Sequence, residues 1–520
     1  MTRRNAVEVP MPPDIADHRA HDSTENPVSG NGDGTATPDR HQAGTNAARK
    51  LRAPPDLDLL DYPQDDLGYA HSIAHQHYPE LRQHVGLGLL VYLPSEGRHV
   101  TGQAAAARAH ELAILTQRSI TATSQQIADN AERGRWEAYA KQLRSRSKRD
   151  AALDLMLRTH VLATDAEIDG HALEVNTPDG VLDLRTLKLS KHDPHRIFTG
   201  VTRARYRPDA QHPAWDAVLA LLHEDSRAGY VQRVFGQAIT GRTNREMFVF
   251  VGPKATGKTT AGEGLLSALG PDFGVTVDPS TLLEASRQRN AGAPRSDLVA
   301  LRAARLALTS EPNRNAKLDA ETVKRMTGLD TIVARGVHMR EPISFRPAFT
   351  VVMLANEVPA ADWEDDALLS RLKLVPFEAR PPKLDPRVRE ALVDDPNQEA
   401  LDALFTWAVQ GAHAWIRDGY TMGDEPTAVT NATREYRAKV DPFRLWSEDT
   451  LTFGEAEAFA SNRALFQSYR DWATANGVDD AQSSDALGRW MAGREQPGVS
   501  KGKRKGARGW HGVQIVGQVS

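Results

Sequence analysis

Hydrophobic and polar positions follow different periods along the chain and divide it into segments. Residues 1–55 are rich in Pro, Gly, Asp, Thr and Asn and contain no aromatic side chain. Such a segment buries little apolar surface, so we expect a disordered tail. Residues 56–215 are mostly helical in pattern, with a small β element in which Asp179-Gly180 predicts a hairpin turn.

Farther along, continuous apolar runs replace the helical period. Met247–Val251, Arg305–Thr309 and Phe349–Leu354 are such runs, as expected for strands that a parallel sheet buries on both faces. Helical segments separate these runs, which predicts an α/β core over residues 216–380. A helical linker or lid is expected over residues 381–440.

The last segment, residues 441–520, has a different order of elements. Asp441-Pro442 marks the start of one helix, and Ser461 marks the start of a second helix whose apolar side chains share one face. A third helix is followed by a glycine-rich basic stretch that predicts a β-hairpin. Three helices before a basic hairpin predict a winged helix.

Composition narrows the function classes. The chain has 520 residues with 64 Lys and Arg against 68 Asp and Glu, so its net charge of −4 excludes a uniformly basic nucleic-acid-coating protein. It has no cysteine, which excludes disulfides, thiol catalysis and cysteine-based zinc sites. The first 20 residues contain no apolar run typical of a signal peptide, and no stretch approaches the length of a membrane span. We therefore expect a cytoplasmic protein.

A glycine-rich motif follows the first buried strand. Residues 252–259 match the pattern GxxxxGK[ST], and a predicted helix continues from them. The backbone N–H groups of such a loop bind phosphate oxygens, while Lys258 contacts the β- and γ-phosphates and the hydroxyl of Thr259 ligates Mg²⁺. The predicted nucleotide-binding residues are Gly252, Pro253, Lys254, Ala255, Thr256, Gly257, Lys258, Thr259 and Thr260.

Three further polar residues are candidates for the chemistry of hydrolysis. Glu311 follows the strand that starts at Arg305 and is the candidate to orient the attacking water and to hold Mg²⁺. Asn356 ends the last buried strand and is the candidate to hydrogen-bond the γ-phosphate or the water. Arg371 is a candidate arginine finger for a neighbouring subunit's nucleotide. Taken alone, each residue also has an ordinary structural role: Glu311 as an exposed acid at a strand end, Asn356 as the cap of a turn, and Arg371 as a partner in a surface ion pair.

The motifs in this order resemble the superfamily 3 helicases, specifically the phage and plasmid primase-helicase family that includes poxvirus-type NTPases. Besides the glycine motif, the segments that carry the resemblance are Asn176–Leu184, Ser310-Glu311, Lys324–Asp330, Arg335, Phe345–Pro347, Ala355–Glu357 and Arg371–Phe377. Three positions depart from the family pattern. Thr256 stands where Asn is frequent, Leu329 replaces a glycine, and Arg371 replaces an arginine pair.

The resemblance covers residues from about 60 to 520 and implies both a fold and an activity. It implies a multidomain α/β protein with an AAA+-like P-loop ATPase core, a helical N-terminal region and a C-terminal winged helix. It also implies a hexameric ring with ATP sites between subunits, Mg²⁺ as cofactor and 3′ to 5′ movement along DNA. It leaves open which arginine is the finger.

Two basic segments are candidates for DNA contacts. In similar helicases a hairpin corresponding to residues 331–344 grips one strand in the channel of the ring. The candidate residues there are Arg335, His338 and Arg340, and Lys324 before the hairpin faces either the channel or the nucleotide. The predicted wing adds Lys501, Lys503, Arg504, Lys505 and Arg508. An ordinary charged hairpin and a solvated loop are the alternatives.

These patterns lead to one expected function and several rivals. We expect an ATP-dependent DNA helicase of a phage or mobile element, which acts in replication in the bacterial cytoplasm with DNA and copies of itself as partners. The short stretch before the helical region and the absent cysteines argue against a primase domain, so a separate primase is expected. An origin-binding or regulatory ATPase and a P-loop kinase are the remaining alternatives.

Overall fold

The computed structural model describes most of the chain beyond its first 57 residues. The described residues are 58–159, 163–164, 166–222, 227–284, 295–310, 316–337, 342–362, 364–455, 457–478, 482–493 and 497–516. The disordered tail expected at residues 1–55 lies outside them. Within the described ranges, no helix is both long enough and apolar enough to cross a membrane.

The N-terminal region combines helices with two antiparallel three-stranded sheets, so it contains more β structure than expected. Its helices share an apolar core that includes Tyr69, Leu112 and Trp136. The expected hairpin is present, but its two-residue loop is Pro178-Asp179 and not the predicted Asp179-Gly180, because Gly180 pairs with Thr177 as the first residue of the second strand. The elements are α1 (Asp66–Gln76), β1 (Leu81–His84), β2 (Gly88–Leu93), β3 (Arg98–Val100), α2 (Gly102–Ser124), α3 (Asn130–Gln142), α4 (Arg146–Thr159), β4 (Glu174–Thr177), β5 (Gly180–Asp183) and β6 (Lys188–Ser190).

The expected α/β core follows, and its strands coincide with the continuous apolar runs. The elements are α5 (Pro213–Ala220), α6 (Arg227–Ile239), β7 (Met247–Val251), α7 (Lys258–Phe273), β8 (Gly274–Thr276), α8 (Ser296–Val299), β9 (Leu306–Ser310), α9 (Ala320–Thr327), β10 (Ile332–Ala334), β11 (Ile343–Phe345), β12 (Thr350–Ala355), α10 (Asp366–Leu369) and β13 (Leu372–Pro376).

Five of these strands form one parallel sheet in the order β13-β7-β12-β9-β8. Alternate side chains of a strand face opposite sides. Phe248 and Phe250 therefore pack in one core with α6 and α7, whereas Met247 and Val249 pack in a second core with α9 and β10. The carboxyl ends of the strands meet at one border, called here the carboxyl edge, and their amino ends form the amino edge.

The remaining two strands of this region form a separate antiparallel hairpin. Ile332 pairs with Phe345 and Ala334 pairs with Ile343. The side chains of Ile332 and Ala334 are buried, while Val333 between them is 63% exposed. The hairpin expected over residues 331–344 is thus present at its base, and residues 338–341 lie outside the described part of the chain.

Residues 381–440 are helical, as expected for the predicted linker or lid. They contribute α11 (Pro386–Arg389), a π-helical turn (Glu390–Asp394), α12 (Gln398–Arg417) and α13 (Thr427–Val440). A Cβ atom added at Gly236 of α6 would lie 2.2 Å from the backbone nitrogen of Ala412, so α6 and α12 pack backbone to backbone. This close packing makes α12 part of the same core as α6 and α7.

The C-terminal region has the expected three helices and hairpin, together with three additional short strands. The caps predicted at Asp441 and Ser461 are present, since their side chains accept from the backbone N–H groups of Arg444 and Ala464. The elements are α14 (Pro442–Thr450), β14 (Leu451–Phe453), β15 (Phe459–Ser461), α15 (Asn462–Ala475), α16 (Ser484–Ala492), β16 (Ser500–Arg504), β17 (Ala507–His511) and β18 (Val513–Ile515). The assignment as a winged helix stays a prediction.

Polar contacts fasten the N-terminal region to the amino edge of the sheet. Arg305, which precedes β9, is 3% exposed and donates to the carbonyl oxygens of Ala172 (3.2 Å) and Glu174 (3.1 Å). Burial lowers the pKa of Arg305 to about 10. A buried guanidinium requires such partners, so these contacts fix the two regions to each other.

Candidate nucleotide site

The glycine motif forms a loop between β7 and α7 at the carboxyl edge. Gly252 has φ +156°, and a Cβ atom there would lie 2.0 Å from the carbonyl oxygen of Phe377. Gly257 has φ +81°, in the left-handed region that favours glycine. The hydroxyl of Thr256 is buried and donates to the carbonyl oxygen of Pro253 at 3.0 Å, which closes the loop on itself. Both glycines are therefore required by the loop conformation.

The N-terminus of α7 begins directly at Lys258, and its first-turn N–H groups have no partner within the helix. The loop residues Pro253, Lys254 and Ala255 are exposed, and Thr259 and Thr260 are half-buried in the first turn of α7. An exposed glycine loop that ends at a helix N-terminus is suited to phosphate groups. The residues present therefore fit the predicted nucleotide.

Lys258 and Asn356 meet, although 98 residues separate them in sequence. The ammonium group of Lys258 donates to Asn356 Oδ1 at 2.9 Å and to the carbonyl oxygen of Pro253 at 3.1 Å. The lysine is 6% exposed, whereas Asn356 is exposed just after the end of β12. Because β12 lies beside β7 in the sheet, its carboxyl end brings the amide to the glycine loop. The structure thus unites two of the predicted catalytic residues.

Glu311, the predicted water-orienting and Mg²⁺-binding residue, lies outside the described residues. The residue before it, Ser310, ends β9 and pairs with Leu354 of β12. Among the described residues, no group of three His, Asp or Glu side chains is arranged to hold a metal ion.

Arg371 lies at the amino edge, away from the glycine loop of its own chain. Its carbonyl oxygen accepts from the N–H of Met247 at 2.8 Å, which fixes it at the start of β7. Its guanidinium donates to the carbonyl oxygen of Ala367. The five paired residues of β7 and β13 separate Arg371 from the loop by about 16 Å of strand. Arg371 thus cannot reach Lys258 in the same chain.

The predicted DNA-binding residues near the hairpin are in different environments. Lys324 of α9 forms an ion pair with Asp365 at 2.8 Å, and Asp365 also caps α10. Burial raises the pKa of Asp365, but the hydrogen bonds from Lys324 and from the N–H of Leu368 outweigh burial and hold the pKa below its usual value. Arg335 is exposed at the end of β10, and its carbonyl oxygen accepts from the N–H of Arg295. His338 and Arg340 lie outside the described residues.

The predicted wing is a two-stranded hairpin with exposed basic side chains. Its turn consists of Lys505 and Gly506, both with positive φ, as in a tight hairpin turn. Lys503 pairs directly with Arg508 across the strands, and like charges in such a pair destabilise the sheet. The exposed basic residues are Lys501, Lys503, Arg504, Lys505 and Arg508. Hairpin stability therefore does not explain the charges of Lys503 and Arg508.

Sequence reasoning missed one residue of this site. Arg227 at the start of α6 is 1% exposed and donates to the carbonyl oxygen of Pro376 at 3.0 Å. Pro376 ends β13 and precedes Phe377, whose carbonyl oxygen lies against Gly252. Arg227 therefore supports the segment on which the glycine loop rests. Nothing in the spacing around Arg227 marks it, because its partner lies 149 residues away.

Comparison with known proteins adds a family relation. The family model described as D5 N terminal like matches residues 90–222, which run from within β2 to just past α5. The chain is 27% identical over 272 residues to the candidate helicase L207/L206 of Acanthamoeba polyphaga mimivirus. It is 26% identical over 264 residues to the candidate helicase 022R of Frog virus 3 (isolate Goorha).

Each of these two alignments covers 49% of this chain and 27% of the relative. The chain thus spans about a quarter of the length of the curated relatives it matches. Among solved structures, the apo structure of the NrS-1 C terminal region is similar with 12% identity and a TM-score of 0.37, covering 64% of this chain and 87% of that one. The chain therefore carries a D5 N terminal like region and is similar, at modest identity, to viral proteins named as helicases.

Proposed function

We propose that the chain is an ATP-dependent DNA helicase with an AAA+-like P-loop core, which unwinds DNA in the replication of a phage or mobile element. The observation that carries this proposal is the contact between Lys258 and Asn356 beside the glycine loop. Supporting it are the all-parallel sheet with this loop on an interior strand, and the relatives whose names identify them as candidate helicases.

In this proposal the chain's own groups bind and orient ATP. The N–H groups of residues 252–260 bind phosphate oxygens, and Lys258 exchanges its contacts with Asn356 and Pro253 for the β- and γ-phosphates. Asn356, released from the lysine, hydrogen-bonds the γ-phosphate or the attacking water. Mg²⁺, when bound through Thr259, neutralises phosphate charge. Glu311 orients the water for attack.

The position of Arg371 supports a site shared between subunits. An arginine at the amino edge serves the nucleotide of a neighbouring copy, since its own glycine loop lies at the opposite edge. If each copy's amino edge contacts the next copy's carboxyl edge, the copies form a closed ring, which we expect to be a hexamer. Arg371 then stabilises the charge that develops on the transferred phosphoryl group.

The ion pair between Lys324 and Asp365 supports a link between hydrolysis and DNA movement. Lys324 lies on α9, which leads into the β10–β11 hairpin, and Asp365 caps α10, which leads into Arg371. A shift of α10 on hydrolysis in the neighbouring site therefore displaces α9 and the hairpin. Arg335, His338 and Arg340 then move with a single strand's phosphates, while the basic wing binds duplex DNA.

A second candidate is an origin-binding or regulatory ATPase, or a helicase subunit without strand displacement of its own. The exposed basic hairpin at residues 500–511 fits this reading equally well. The test is displacement of a labelled strand from a forked duplex by the purified protein with ATP and Mg²⁺. Strand displacement that stops in the Lys258→Ala variant supports the helicase. DNA-stimulated hydrolysis without strand displacement favours the alternative.

A further inference from the structure

The turn between α3 and α4 is the most basic surface segment outside the proposed sites. Residues 141–149 contain five basic residues and no acidic residue, although the whole chain has a net charge of −4. The five are Lys141, Arg144, Arg146, Lys148 and Arg149. The turn lies within the D5 N terminal like region, and neither the proposed nucleotide site nor the predicted wing uses it.

Two of the five cations anchor the turn and three face solvent. Lys148 forms an ion pair with Asp66 of α1 at 2.8 Å, and Arg149 donates to the carbonyl oxygen of Arg144 at 2.7 Å. Lys141, Arg144 and Arg146 are exposed, and Arg146 makes only a 3.4 Å contact with Asp150 while 89% of its side chain is exposed. The turn is therefore a fixed backbone that presents three cations to solvent.

The helix dipole favours Lys141, which lies in the last turn of α3, but helix stability does not account for the cations at the start of α4. The first turn of α4 contains no acidic residue, and its positive charges stand at the N-terminus, where the helix dipole is already positive. Cations at that end destabilise a helix, and their field adds to the field of the dipole. Arg144 immediately precedes this end. The end of α3 and the start of α4 thus bring their cations together, which produces a concentrated positive potential at the turn.

The surroundings of the turn favour phosphate as the ligand over the apolar surface of a protein. Its one large apolar residue, Leu143, is 1% exposed and belongs to the core of the region. The other side chains of the turn are polar: Gln142, Ser145 and Ser147 are exposed. A stable protein interface buries an apolar centre, and this surface of cations, hydroxyls and an amide has none. It has the groups that bind phosphodiesters.

We propose that residues 141–149 bind the phosphate backbone of single-stranded DNA, as a contact separate from the β10–β11 hairpin and the wing. The inference rests on the proposed function, because it assigns to the N-terminal region a binding site for the DNA strand that the helicase moves. Three exposed cations neutralise about three phosphates, which corresponds to a change of about 2 in the slope of log affinity against log salt.

The first test compares two triple variants of equal charge change. Lys141→Gln/Arg144→Gln/Arg146→Gln removes the exposed cations of the turn, and Lys188→Gln/Lys191→Gln/Lys383→Gln removes three exposed lysines elsewhere. Binding of a fluorescein-labelled 30-nucleotide strand is measured by anisotropy over a range of salt concentrations. We expect the turn variant to bind the strand about tenfold more weakly than wild type. The slope of its log affinity against log salt should be smaller in magnitude by about 2, and the control variant should bind like wild type. Equal slopes in both variants would overturn the proposal.

A second test locates the DNA directly. Since the chain has no cysteine, Ser147→Cys introduces a single thiol at the turn, and Ser95→Cys introduces one on an exposed turn between β2 and β3. Saturating single-stranded DNA should slow maleimide labelling at position 147 at least fivefold and leave position 95 unchanged. Unprotected labelling at position 147 contradicts the proposal.

The outcomes separate this inference from the proposed function. If the wild-type chain hydrolyses ATP without DNA stimulation and displaces no strand, the proposed function fails, whatever the turn binds. If wild type unwinds DNA and the turn variant keeps the wild-type salt slope, only the inference about the turn fails. ATP hydrolysis without DNA at the wild-type rate verifies that the turn variant is folded.

Discussion

The two edges of the parallel sheet carry opposite halves of the proposed chemistry. At the carboxyl edge, Lys258 is buried and hydrogen-bonded to Asn356 within one chain. At the amino edge, Arg371 is only half-buried, and its backbone is fixed by Met247. Under the proposed function, one chain's carboxyl edge is sufficient to bind a nucleotide, whereas Arg371 acts on the nucleotide of a second chain. Under the proposed function, binding and hydrolysis therefore have different requirements for assembly.

The largest effect is expected from the carboxyl edge. Lys258→Ala removes the cation for the β- and γ-phosphates, so we expect ATP hydrolysis to fall at least about a thousandfold. Phosphate release measures the rate, and Lys383→Ala, which removes an exposed lysine elsewhere, serves as the control. Hydrolysis near the wild-type rate in Lys258→Ala would mean that the loop is not the nucleotide site.

Next in size is the effect at the amino edge. Arg371→Ala should lower hydrolysis by about 10³-fold while nucleotide affinity stays near wild type, since the residue acts on a neighbour's nucleotide. Arg380→Ala removes an exposed arginine just beyond the carboxyl end of β13 and should change little.

Mixing variants tests whether the two edges meet between subunits. Glu311→Gln is expected to be inactive alone, and so is Arg371→Ala. A mixed assembly contains sites with an intact Glu311 from one subunit and an intact Arg371 from the other, so partial hydrolysis should return. No recovery on mixing would argue that Arg371 does not act across a subunit boundary.

A smaller effect is expected from the backbone of the carboxyl edge. Gly252→Ala places a methyl group against Phe377 at a φ of +156°, so we expect a loss of about 1–3 kcal/mol in unfolding free energy and weaker nucleotide binding. Gly229→Ala is the matched control, since this exposed helical glycine has open space around its Cβ position. The control should gain about 0.5–1 kcal/mol. Urea denaturation measures both changes.

The smallest effect concerns the N-terminal region that covers part of the amino edge. His99 is 1% exposed, and burial, together with the charge of Arg82, lowers its pKa from 6.5 to about 4. His99 therefore binds a proton more readily in the unfolded chain than in the folded chain. The free energy of unfolding is accordingly highest above pH 6.5 and declines as the pH falls toward 4. His99→Gln should flatten this decline in urea midpoints, whereas His195→Gln, at an exposed position, should retain it.

The sequence was sufficient for features that depend on short segments. The apolar runs predicted β7, β9 and β12, and the motif spacing predicted that Lys258 and Asn356 belong to one site. Parallel strands end at the same edge of a sheet, so residues that directly follow adjacent strands lie close together. The cap at Asp441 likewise depends only on neighbouring residues.

Features that depend on packing across the chain could not be predicted in this way. The support from Arg227 and the inclusion of α12 in the core arise from contacts over more than a hundred residues. Arg371 could be identified as a finger candidate, but its distance from its own loop required the pairing of β13 with β7. Long-range register determines these relations, and local patterns do not encode it.

The buried guanidinium of Arg305 has a consequence for how the chain can be divided. Its partners, the carbonyl oxygens of Ala172 and Glu174, belong to the N-terminal region, while Arg305 itself belongs to the sheet. A fragment that begins at residue 216 would leave this charge without those acceptors, and a fragment that ends there would lose the donor. Separate expression of the two regions is therefore expected to yield fragments less stable than the same regions in the intact chain.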